Sequence, residues 1–260
     1  MTTFTKIAAL AICAGCGRIG FDGAGTGSMT ADGANGADGE DVCGVPNGAI
    51  VHLRFDDGSG QQAIDASGAG NDAQLIGMDD SDWVAGRVGD ALDFDGVDDH
   101  VSAGSAPSVD DVAPLTMCAW IYPRSYPSQF PAIADKSNDT FIGGWNFYIE
   151  DNTQFGFLTN QRKWITGGTI TLGAWTHVCA AWDGSTGLTG IQLFQDGVMT
   201  AMKLSGSNGN QLDSDAVHDV LVGRVNNGTF PFDGLVDDFI VYPRVLTPAE
   251  VGVIYNCAGS

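Results

Sequence analysis

The stretch FDGLVDDFIVYPRVLTPAEVGVIY (232–255) combines a strand, a proline turn and a helix, and it decides the class of fold. Its first part, GLVDDFIVYP (234–243), is rich in the β-branched and aromatic residues that strands favour. In its last part, TPAEVGVIY (247–255), Thr247 suits the N-cap position, a proline follows in the first turn, and Glu250 completes a capping box. The stretch therefore predicts a strand followed by one short C-terminal helix.

Outward from this stretch, the chain consists of short apolar runs separated by turn residues. These runs are AIVHLRF (49–55), LDFDG (92–96), WNFYIED (145–151), FGFLTN (155–160), IQLFQDG (191–197) and VLVGRV (220–225). Asp196-Gly197 is typical of a two-residue hairpin, because a type I′ turn needs positive φ at both central positions. Long helical patterns between the strands are missing, which disfavours a parallel α/β sheet. We therefore expect an all-β sandwich.

The composition restricts both the class of fold and the kinds of partner that the chain can have. The chain has 260 residues and 37 glycines, and each glycine costs about 1 kcal/mol in a helix interior. The formal net charge is −21, and only Glu40, Glu150 and Glu250 among the 32 acidic residues are glutamates. Such an acidic surface repels phosphate groups, so nucleic acids and anionic membrane surfaces are excluded as partners.

The first 16 residues, MTTFTKIAALAICAGC, have the layout of a secretory signal, with one cation at Lys6, a short apolar run and small residues before a cut. The ending AGC (14–16) resembles a bacterial lipobox, in which Cys16 becomes lipidated, although Cys13 stands where that motif usually has leucine. The alternative is an ordinary signal peptide that is cut nearby. We expect an exported protein, on the cell surface or in the periplasm of a bacterium, that meets a membrane only through its lipid anchor.

Two further segments follow the signal. Residues 17–42 are rich in Gly, Ala and Asp and have few large apolar side chains, so they cannot bury enough surface to offset their ordering entropy. They are predicted to form a flexible tether with a mean reach of about 28 Å. Residues 43–260 are predicted to form one folded domain.

Four cysteines remain for the folded domain once the two in the signal are set aside: Cys43, Cys118, Cys179 and Cys257. An oxidising compartment and an even number of cysteines favour two disulfides. Cys43 and Cys257 bracket the domain, whose ends we expect to lie close together, while Cys118 and Cys179 fall in strand-like runs. We therefore pair 43 with 257 and 118 with 179. The alternative is four buried thiols, and a zinc site is disfavoured because the C-x₂₋₄-C spacing is missing.

Five blocks, taken in order, resemble the concanavalin A-like, laminin G-like jelly-roll domains of exported bacterial proteins. They are FDDGSGQQAIDASGAGNDAQL (55–75), GDALDFDGVDDHV (89–101), LTMCAWIYP (115–123), WTHVCAAWDGSTGLTGIQLFQDG (175–197) and the stretch 232–255. The resemblance covers nearly all of 48–255 and implies a two-sheet antiparallel jelly-roll sandwich, one sheet being concave, with the C-terminal helix at its edge. The pair Cys118 and Cys179 is similar to the disulfide between neighbouring strands of pentraxins. Because this fold hosts lectins, adhesion modules and glycosidases, the resemblance leaves the function open.

Catalytic motifs are missing from the sequence. The glycosidases of this sandwich carry E-x-D-x-x-E, and retaining hydrolysis needs two carboxyls about 5–5.5 Å apart, whereas the three glutamates here lie far apart in sequence. His52, His100, His177 and His218 are scattered, and neither H-E-x-x-H nor G-x-S-x-G occurs. We expect a binding module and not an enzyme. An adhesion or structural domain is the first alternative, and a cryptic glycosidase or lyase is the second.

Aspartate-rich loops in an exported protein suit Ca²⁺, which takes oxygen ligands. The resemblance implies a structural calcium ion where the first strand, an early loop and the last strand meet. Position by position it implicates Asp56, Asn71 through its carbonyl, and Asp237 or Asp238. Asp237 and Asp238 interrupt an apolar strand and point to opposite faces, so one of them needs a partner or solvent. The alternative is a solvated strand edge or an arginine partner.

The candidates for sugar binding are planar side chains expected on the concave sheet, because aromatic rings stack on the C–H faces of sugars. They are Trp145, Tyr148, Arg162 and Trp164, and the alternative is that most of these rings lie in the core. Three other tryptophans of the strand-like runs are assigned to the core: Trp120, Trp175 and Trp182. We expect a carbohydrate as the first partner and a cell-surface protein as the second.

Overall fold

The computed structural model describes residues 45–137, 143–150, 153–159, 163–185, 189–206 and 213–257, with the backbone alone for 163–165 and 204–206. The predicted signal and tether lie outside the described residues, as do Cys43 and Arg162. In the part of the chain that is described, no helix has the length and apolar character to cross a bilayer.

Short strands dominate the described chain. In chain order they are β1 (Val51–Leu53), β2 (Gln62–Ala63), β3 (Ala73–Ile76), β4 (Trp83–Ala85), β5 (Asp90–Asp95), β6 (His100–Ser102), β7 (Leu115–Ser125), β8 (Ala132–Ser137), β9 (Gly144–Ile149), β10 (Phe155–Thr159), β11 (Lys163–Gly167), β12 (Thr176–Trp182), β13 (Ile191–Gln195), β14 (Val198–Met199), β15 (Met202–Gly206), β16 (Leu221–Val222) and β17 (Asp233–Tyr242). A 3₁₀ turn, Asp80–Asp82, and one helix, α1 (Pro248–Cys257), complete the described elements.

The strands form two antiparallel sheets, with eight and nine strands within the described residues. The first has the order β14-β13-β12-β7-β17-β5-β4, and β1 also pairs with β17, at its Phe239–Val241 end. The second has the order β15-β11-β10-β9-β8-β16-β6-β3-β2. All registered pairs are antiparallel, so the predicted two-sheet sandwich is confirmed.

The predicted hairpin at Asp196-Gly197 joins β13 to β14. Both turn residues have positive φ, 49° and 75°, as a type I′ turn requires. Glycine adopts this conformation at no steric cost, and aspartate tolerates it better than most residues. The local turn chemistry therefore sets the register in which Phe194 faces Met199.

The main core lies between the two sheets and is built from alternate residues of their strands. In β9, Trp145, Phe147 and Ile149 belong to this core, and the residues between them point to the outer face. Phe94 and Phe239 of the first sheet are fully buried in the same cluster. Full burial of one such side chain stabilises the fold by about 1.5–3 kcal/mol.

The helix α1 begins with the predicted capping box. The backbone N–H of Thr247 donates to Glu250 Oε2 at 2.8 Å, and the N–H of Glu250 donates to Thr247 Oγ1 at 3.3 Å. Arg244 also donates to Glu250, and these contacts lower the pKa of Glu250 to about 2. The helix thus starts at the residue that the sequence indicated.

A second core lies on the outer face of the eight-stranded sheet, where Val251 and Ile254 of α1 belong to a buried cluster with the cystine of Cys118 and Cys179. These two cysteines face each other in register on β7 and β12 and are bonded, which confirms the predicted pair. Cys257 is the last residue of α1. Because Cys43 lies outside the described residues, the bond from Cys43 to Cys257 stays a prediction.

Candidate functional site

Asp237 is a fully buried acid on the outer side of β17. Its neighbour Val236 belongs to the core between the sheets, so Asp237 points the other way. Oδ2 accepts the backbone N–H groups of Arg87 and Val88 at 2.8 and 2.9 Å, while Oδ1 has no hydrogen-bond partner among the described residues. Burial raises the pKa of Asp237 to about 8, and the charge of Asp238 adds to the rise.

Asp56 lies at the same turn, 86–90, that covers Asp237. Its Oδ1 accepts the backbone N–H of Asp90 at 2.9 Å, and its charge also raises the pKa of Asp237. A Cβ at Gly89, where φ is 61°, would lie 2.0 Å from Asp56 Oδ1, and one at Gly86 would lie 2.6 Å from Asp237 Oδ2. The two glycines therefore allow the turn to close onto both carboxylates. The orphaned Oδ1 of buried Asp237, with the charge of Asp56 nearby, fits a cation better than it fits an ordinary polar contact.

The other two predicted metal ligands have different surroundings. Asp238 has φ of 47° in a bulge of β17, and its Oδ1 lies 3.4 Å from His52 Nε2. Asn71 donates its side-chain amide to the carbonyl of Ile50 at 2.6 Å and accepts the Ser108 hydroxyl at 3.0 Å. The structure thus brings Asp56 and Asp237 to one turn. Asp238 follows Asp237 directly in the chain, and the side chain of Asn71 has a different set of contacts.

Two of the predicted sugar-binding rings, those of Trp145 and Tyr148, do not form an open face. Trp145 is 3% exposed and points into the core, and Tyr148 is 5% exposed, with its ring in edge contact with Phe130 at 5.8 Å. Burial raises the pKa of Tyr148. Arg162 lies outside the described residues, and Trp164 is described only by its backbone, which pairs with Leu158. Of the alternatives weighed from the sequence, a core position holds for Trp145.

A cavity of about 200 Å³ opens at one end of the sandwich, and Trp145 lines it. It is also lined by the end of β12, by the loop before β7 and by the loop before β16. Its principal lining residues are Asp111, Trp145, Trp182, Asp213, Ser214 and Asp215. Its acidic residues were not predictable from the sequence, because they come from two distant loops and resemble the other aspartates of the chain.

The walls of this end cavity are held by a buried lysine. Lys136 of β8 is fully buried, and its Nζ donates to Asp110 Oδ1 at 2.9 Å, to the Asp215 carbonyl at 3.2 Å and to the His218 carbonyl at 2.5 Å. Burial raises the pKa of Asp215, and the charges of Asp111 and Asp110 add to the rise while Lys136 opposes it. The two loops are therefore fixed against β8 around a negatively charged opening.

A further buried acid, Asp135, precedes Lys136 on β8 and points to the opposite face of that strand. It accepts hydrogen bonds from the side chains of Ser137, Asn146 and Asn226 at 2.6, 2.9 and 2.8 Å. The backbone N–H groups of Ser137 and Asn226 donate to it as well. Although burial raises its pKa, its acceptor positions are occupied, so Asp135 joins β8, β9 and the loop after β16.

One ring assignment is corrected by the structure. Trp175, assigned to the core from the sequence, is partly exposed at the start of β12, and its ring lies 5.6 Å from that of Tyr122. Because Tyr122 is opposite Leu235 on β17, these apolar side chains form a row along the outer face of the eight-stranded sheet. Trp120 and Trp182 are buried, as predicted.

Solved structures of other proteins share this architecture. Domain 4 of AbnA, an extracellular arabinanase from Geobacillus stearothermophilus solved in complex with arabinotriose, superposes with a TM-score of 0.57 at 20% identity, over 81% of this chain and 98% of that domain. Trypanosoma rangeli sialidase, in complex with the inhibitor DANA, superposes with a TM-score of 0.58 at 17% identity, over 81% of this chain and 33% of the sialidase. At these identities the likeness concerns the fold alone.

Sequence comparison agrees with the fold. Neuronal pentraxin-2 of Cavia porcellus is 27% identical over 154 residues, and the match covers 55% of this chain and 34% of the pentraxin. The chain thus spans about a third of the length of that relative. A family model described as the concanavalin A-like lectin/glucanases superfamily matches residues 95–252, which is more than half of the chain. Together with the two antiparallel sheets, this match shows that the chain belongs to the concanavalin A-like lectin/glucanases superfamily.

Proposed function

We propose that this protein is an exported, non-catalytic module that binds a carbohydrate at the end cavity. The observation that carries the proposal is the lining of that cavity, where three aspartates stand together with Trp145 and Trp182. Carboxylates accept hydrogen bonds from sugar hydroxyls. Both tryptophans are only 3% exposed, so the aspartates carry the proposed recognition. A volume of about 200 Å³ suits one sugar ring rather than a long chain.

The comparisons support this proposal at the level of the fold. The arabinanase domain, which is matched over 98% of its length, was solved with arabinotriose bound. A fold of the same extent can therefore hold a short oligosaccharide. Which sugar this chain binds, and where, are parts of the proposal.

The contacts of the cavity acids favour binding over hydrolysis. A glycosidase needs one acid free to donate a proton and a second free to attack or to activate water. Asp111 and Asp215 instead accept backbone N–H groups at 2.9 and 2.7 Å, and Ser214 donates its hydroxyl to Asp111 at 3.0 Å. Each of these oxygens keeps a second lone pair that can accept a sugar hydroxyl, but the hydrogen bonds hold both carboxylates as acceptors and not as a proton donor and a nucleophile.

We further propose a structural calcium ion at the turn 86–90. Asp237, through its unpaired Oδ1, and Asp56 would hold it, and Asp238 would add negative charge nearby. The ion would supply the positive charge that a buried carboxylate lacks here. The side chain of Asn71 serves Ile50 and Ser108, so the contribution of Asn71 that the resemblance implicates would come from its backbone carbonyl.

Adhesion to a cell-surface protein is a second candidate function. The row formed by Tyr122, Trp175 and Leu235 is partly exposed, and Leu172 close by in the chain is 44% exposed. Partly exposed aromatic residues are enriched in protein interfaces. This surface lies on the eight-stranded sheet and shares no residue with the lining of the end cavity. Substitutions in the two places can therefore separate protein capture from sugar binding.

A glycan array probed with the purified full chain tests the proposed function. Binding to a defined sugar that is lost in Asp213→Ala, and retained in Trp175→Ala, is the expected result. Silence across the array, together with a protein partner whose capture depends on Trp175, would replace carbohydrate binding by adhesion. Turnover of a bound polysaccharide would overturn the non-catalytic assignment.

A further inference from the structure

Lys136 of β8 is fully buried, and its amine lies beside the carboxyl groups of Asp110 and Asp215. We propose that Lys136 and Asp110 become joined by an amide bond between their side chains, a crosslink that the protein forms without another enzyme. The crosslink belongs to the scaffold around the end cavity, so the proposal does not depend on carbohydrate binding. It rests on the position of the amine, on the acids beside it and on the burial of the reacting groups.

The amine of Lys136 is enclosed at the end of the core between the two sheets. Ala134, two residues earlier on β8, belongs to this core, so Lys136 points to the same side of the strand. Trp145, which is opposite Lys136 on β9, is a core residue, and so is the residue before Asp110. Because charges are costly to bury, an uncharged product is favoured over an ammonium group at this position.

The contacts of the amine direct it towards Asp110. Nζ donates to Asp110 Oδ1 at 2.9 Å, to the Asp215 carbonyl at 3.2 Å and to the His218 carbonyl at 2.5 Å. A neutral amine keeps two N–H groups and one lone pair. Since the two carbonyls can only accept, they hold the two N–H groups and leave the lone pair facing Asp110. The carboxyl carbon of Asp110 then lies about 3.5 Å from Nζ, as in a near-attack arrangement.

The reaction balances within the two side chains. Nζ passes one proton to the carboxylate of Asp110, which gives a neutral amine and a carboxylic acid. The nitrogen lone pair attacks the carboxyl carbon, and the tetrahedral intermediate loses its hydroxyl group together with a second proton of Nζ as one water molecule. A C–N bond thus replaces a C–O bond, the two opposite charges disappear together, and neither an oxidant nor a reductant takes part.

Asp215 is placed to carry the proton that the departing hydroxyl group needs. Its Oδ1 lies 3.7 Å from Nζ and accepts the backbone N–H of Asp111 at 2.7 Å. Burial raises the pKa of Asp215, and the charges of Asp111 and Asp110 add to the rise while Lys136 opposes it. A carboxyl group with a raised pKa holds a proton more readily than an ordinary aspartate, which suits a general acid.

Two features favour the amide over the ion pair. Both charges of a buried ion pair lose their hydration, whereas an amide carries no charge. The side chain of Asp110 is 17% exposed and the next residue lines the end cavity, so the released water can leave towards solvent. The bond joins β8 to the loop before β7 and thereby fixes one wall of the end cavity.

Tryptic mapping of the purified full chain, after denaturation and reduction of the disulfides, tests the bond. Trypsin cleaves after lysine, but not after a lysine whose amine is part of an amide. We expect a branched species in which peptide 88–124, with Asp110, is joined to peptide 125–162 and the mass of one water molecule is missing. Quantitative release of peptide 125–136 from the wild type would overturn the inference, whatever the variants do.

A matched pair of variants assigns the bond to its acid. Asp110→Ala removes the carboxyl carbon that the amine attacks, so peptide 125–136 should be released completely. Asp98→Ala, in an exposed turn after β5, should give the branched species as the wild type does. A branched species that persists in Asp110→Ala would place the bond on another acid and refute the inference.

The variant Asp215→Asn tests the proton transfer. It keeps an oxygen that can accept the backbone N–H of Asp111 but has no acid proton to give. At a temperature where circular dichroism shows the variant folded, we expect most of its chains to release peptide 125–136. Complete linkage in Asp215→Asn would overturn the role of Asp215 as the proton carrier.

Discussion

Asp111 and Asp215 each donate a backbone N–H to the carboxylate of the other, at 2.7 and 2.9 Å. This reciprocal pair joins two loops that are separated by about a hundred residues in the chain. Ser214 adds its hydroxyl to Asp111 at 3.0 Å. Asp111 and Asp215 each line the end cavity, and each also holds the loop that forms the opposite side of it.

Asp111→Ala should therefore weaken both the fold and ligand binding. Removing the carboxylate leaves the buried backbone N–H of Asp215 without its acceptor, which costs about 1–3 kcal/mol of unfolding free energy. Urea unfolding and calorimetric titration with a sugar identified on the array measure the two effects. Asp98→Ala, in the exposed turn after β5, is the control. Wild-type affinity in Asp111→Ala would show that the sugar binds elsewhere.

The proposed calcium ion predicts a metal-dependent stability. Ca²⁺ should raise the melting temperature of the EDTA-treated chain, because binding to the folded state alone stabilises it. Asp237→Asn should abolish this rise. Asp95→Asn, in the separate group of Asp95, Asp98 and Asp99, should retain it. A rise that is equal in Asp237→Asn and the wild type would exclude the turn 86–90 as the metal site.

Acid should destabilise the protein through His177. This side chain is buried near Trp120 and the Cys118–Cys179 bond, and burial lowers its pKa from 6.5 to about 3. Between these values the unfolded chain binds the proton and the folded chain does not, so stability falls as pH drops through this window. The contribution approaches about 1.4 kcal/mol per pH unit.

The variant His177→Gln isolates this contribution from that of the carboxylates. Urea unfolding from about pH 7 to 4 should give a shallower loss of stability than in the wild type. His218→Gln, at a partly exposed histidine in the loop before β16, is the matched control for the substitution itself. Parallel curves for His177→Gln and the wild type would mean that His177 does not titrate on unfolding.

The Cys118–Cys179 bond should contribute several kcal/mol. It closes a loop with a sequence separation of 61, for which the chain-entropy estimate is about 4 kcal/mol. The double variant Cys118→Ala/Cys179→Ala should unfold at correspondingly lower denaturant concentration. Reductant should lower the stability of the wild type by more than that of the double variant, which keeps only the second disulfide predicted between Cys43 and Cys257. A double variant as stable as the wild type would contradict the estimate.

The N-terminal predictions need chemical analysis of the natural protein. Mass spectrometry of the mature chain should find a diacylglyceryl group on Cys16 as the first residue. A start at another residue, or an unmodified Cys16, would exclude the lipid anchor.

Non-reducing peptide mapping of the natural protein should find Cys43 linked to Cys257. Alkylation of both of these cysteines without prior reduction would exclude this second disulfide.

The sequence predicted most of the fold because its signals are local. The capping box of Thr247 and Glu250 and the turn at Asp196-Gly197 each lie within a few residues and determine their own geometry. The Cys118–Cys179 pair could be predicted because both cysteines stand within apolar runs that become adjacent strands. Short-range chemistry therefore specified the elements, and the resemblance supplied their arrangement.

The site was harder to predict. A strand that is buried on both faces lacks the alternation of apolar and polar residues that would show which side chains point to the core. All six residues of β9 are buried, so the spacing of Trp145 and Tyr148 could not tell the core from an open surface. The cavity acids come from distant loops and are only a few of many aspartates in the chain, so no local contrast marks them. Trp175 is partly exposed because β12 only begins at the next residue.

The position of β17 has a consequence for how the protein is made. This strand lies between β7 on one side and β1 and β5 on the other, yet it follows all of them in the chain, at Asp233–Tyr242. The ribosome must therefore deliver every residue from β1 to Tyr242 before the eight-stranded sheet can acquire its middle. Since pairing of such distant segments is slow, a chain that lacks residues 233–242 would leave β1, the pair of β4 and β5, and the set of β7, β12, β13 and β14 unconnected by backbone hydrogen bonds.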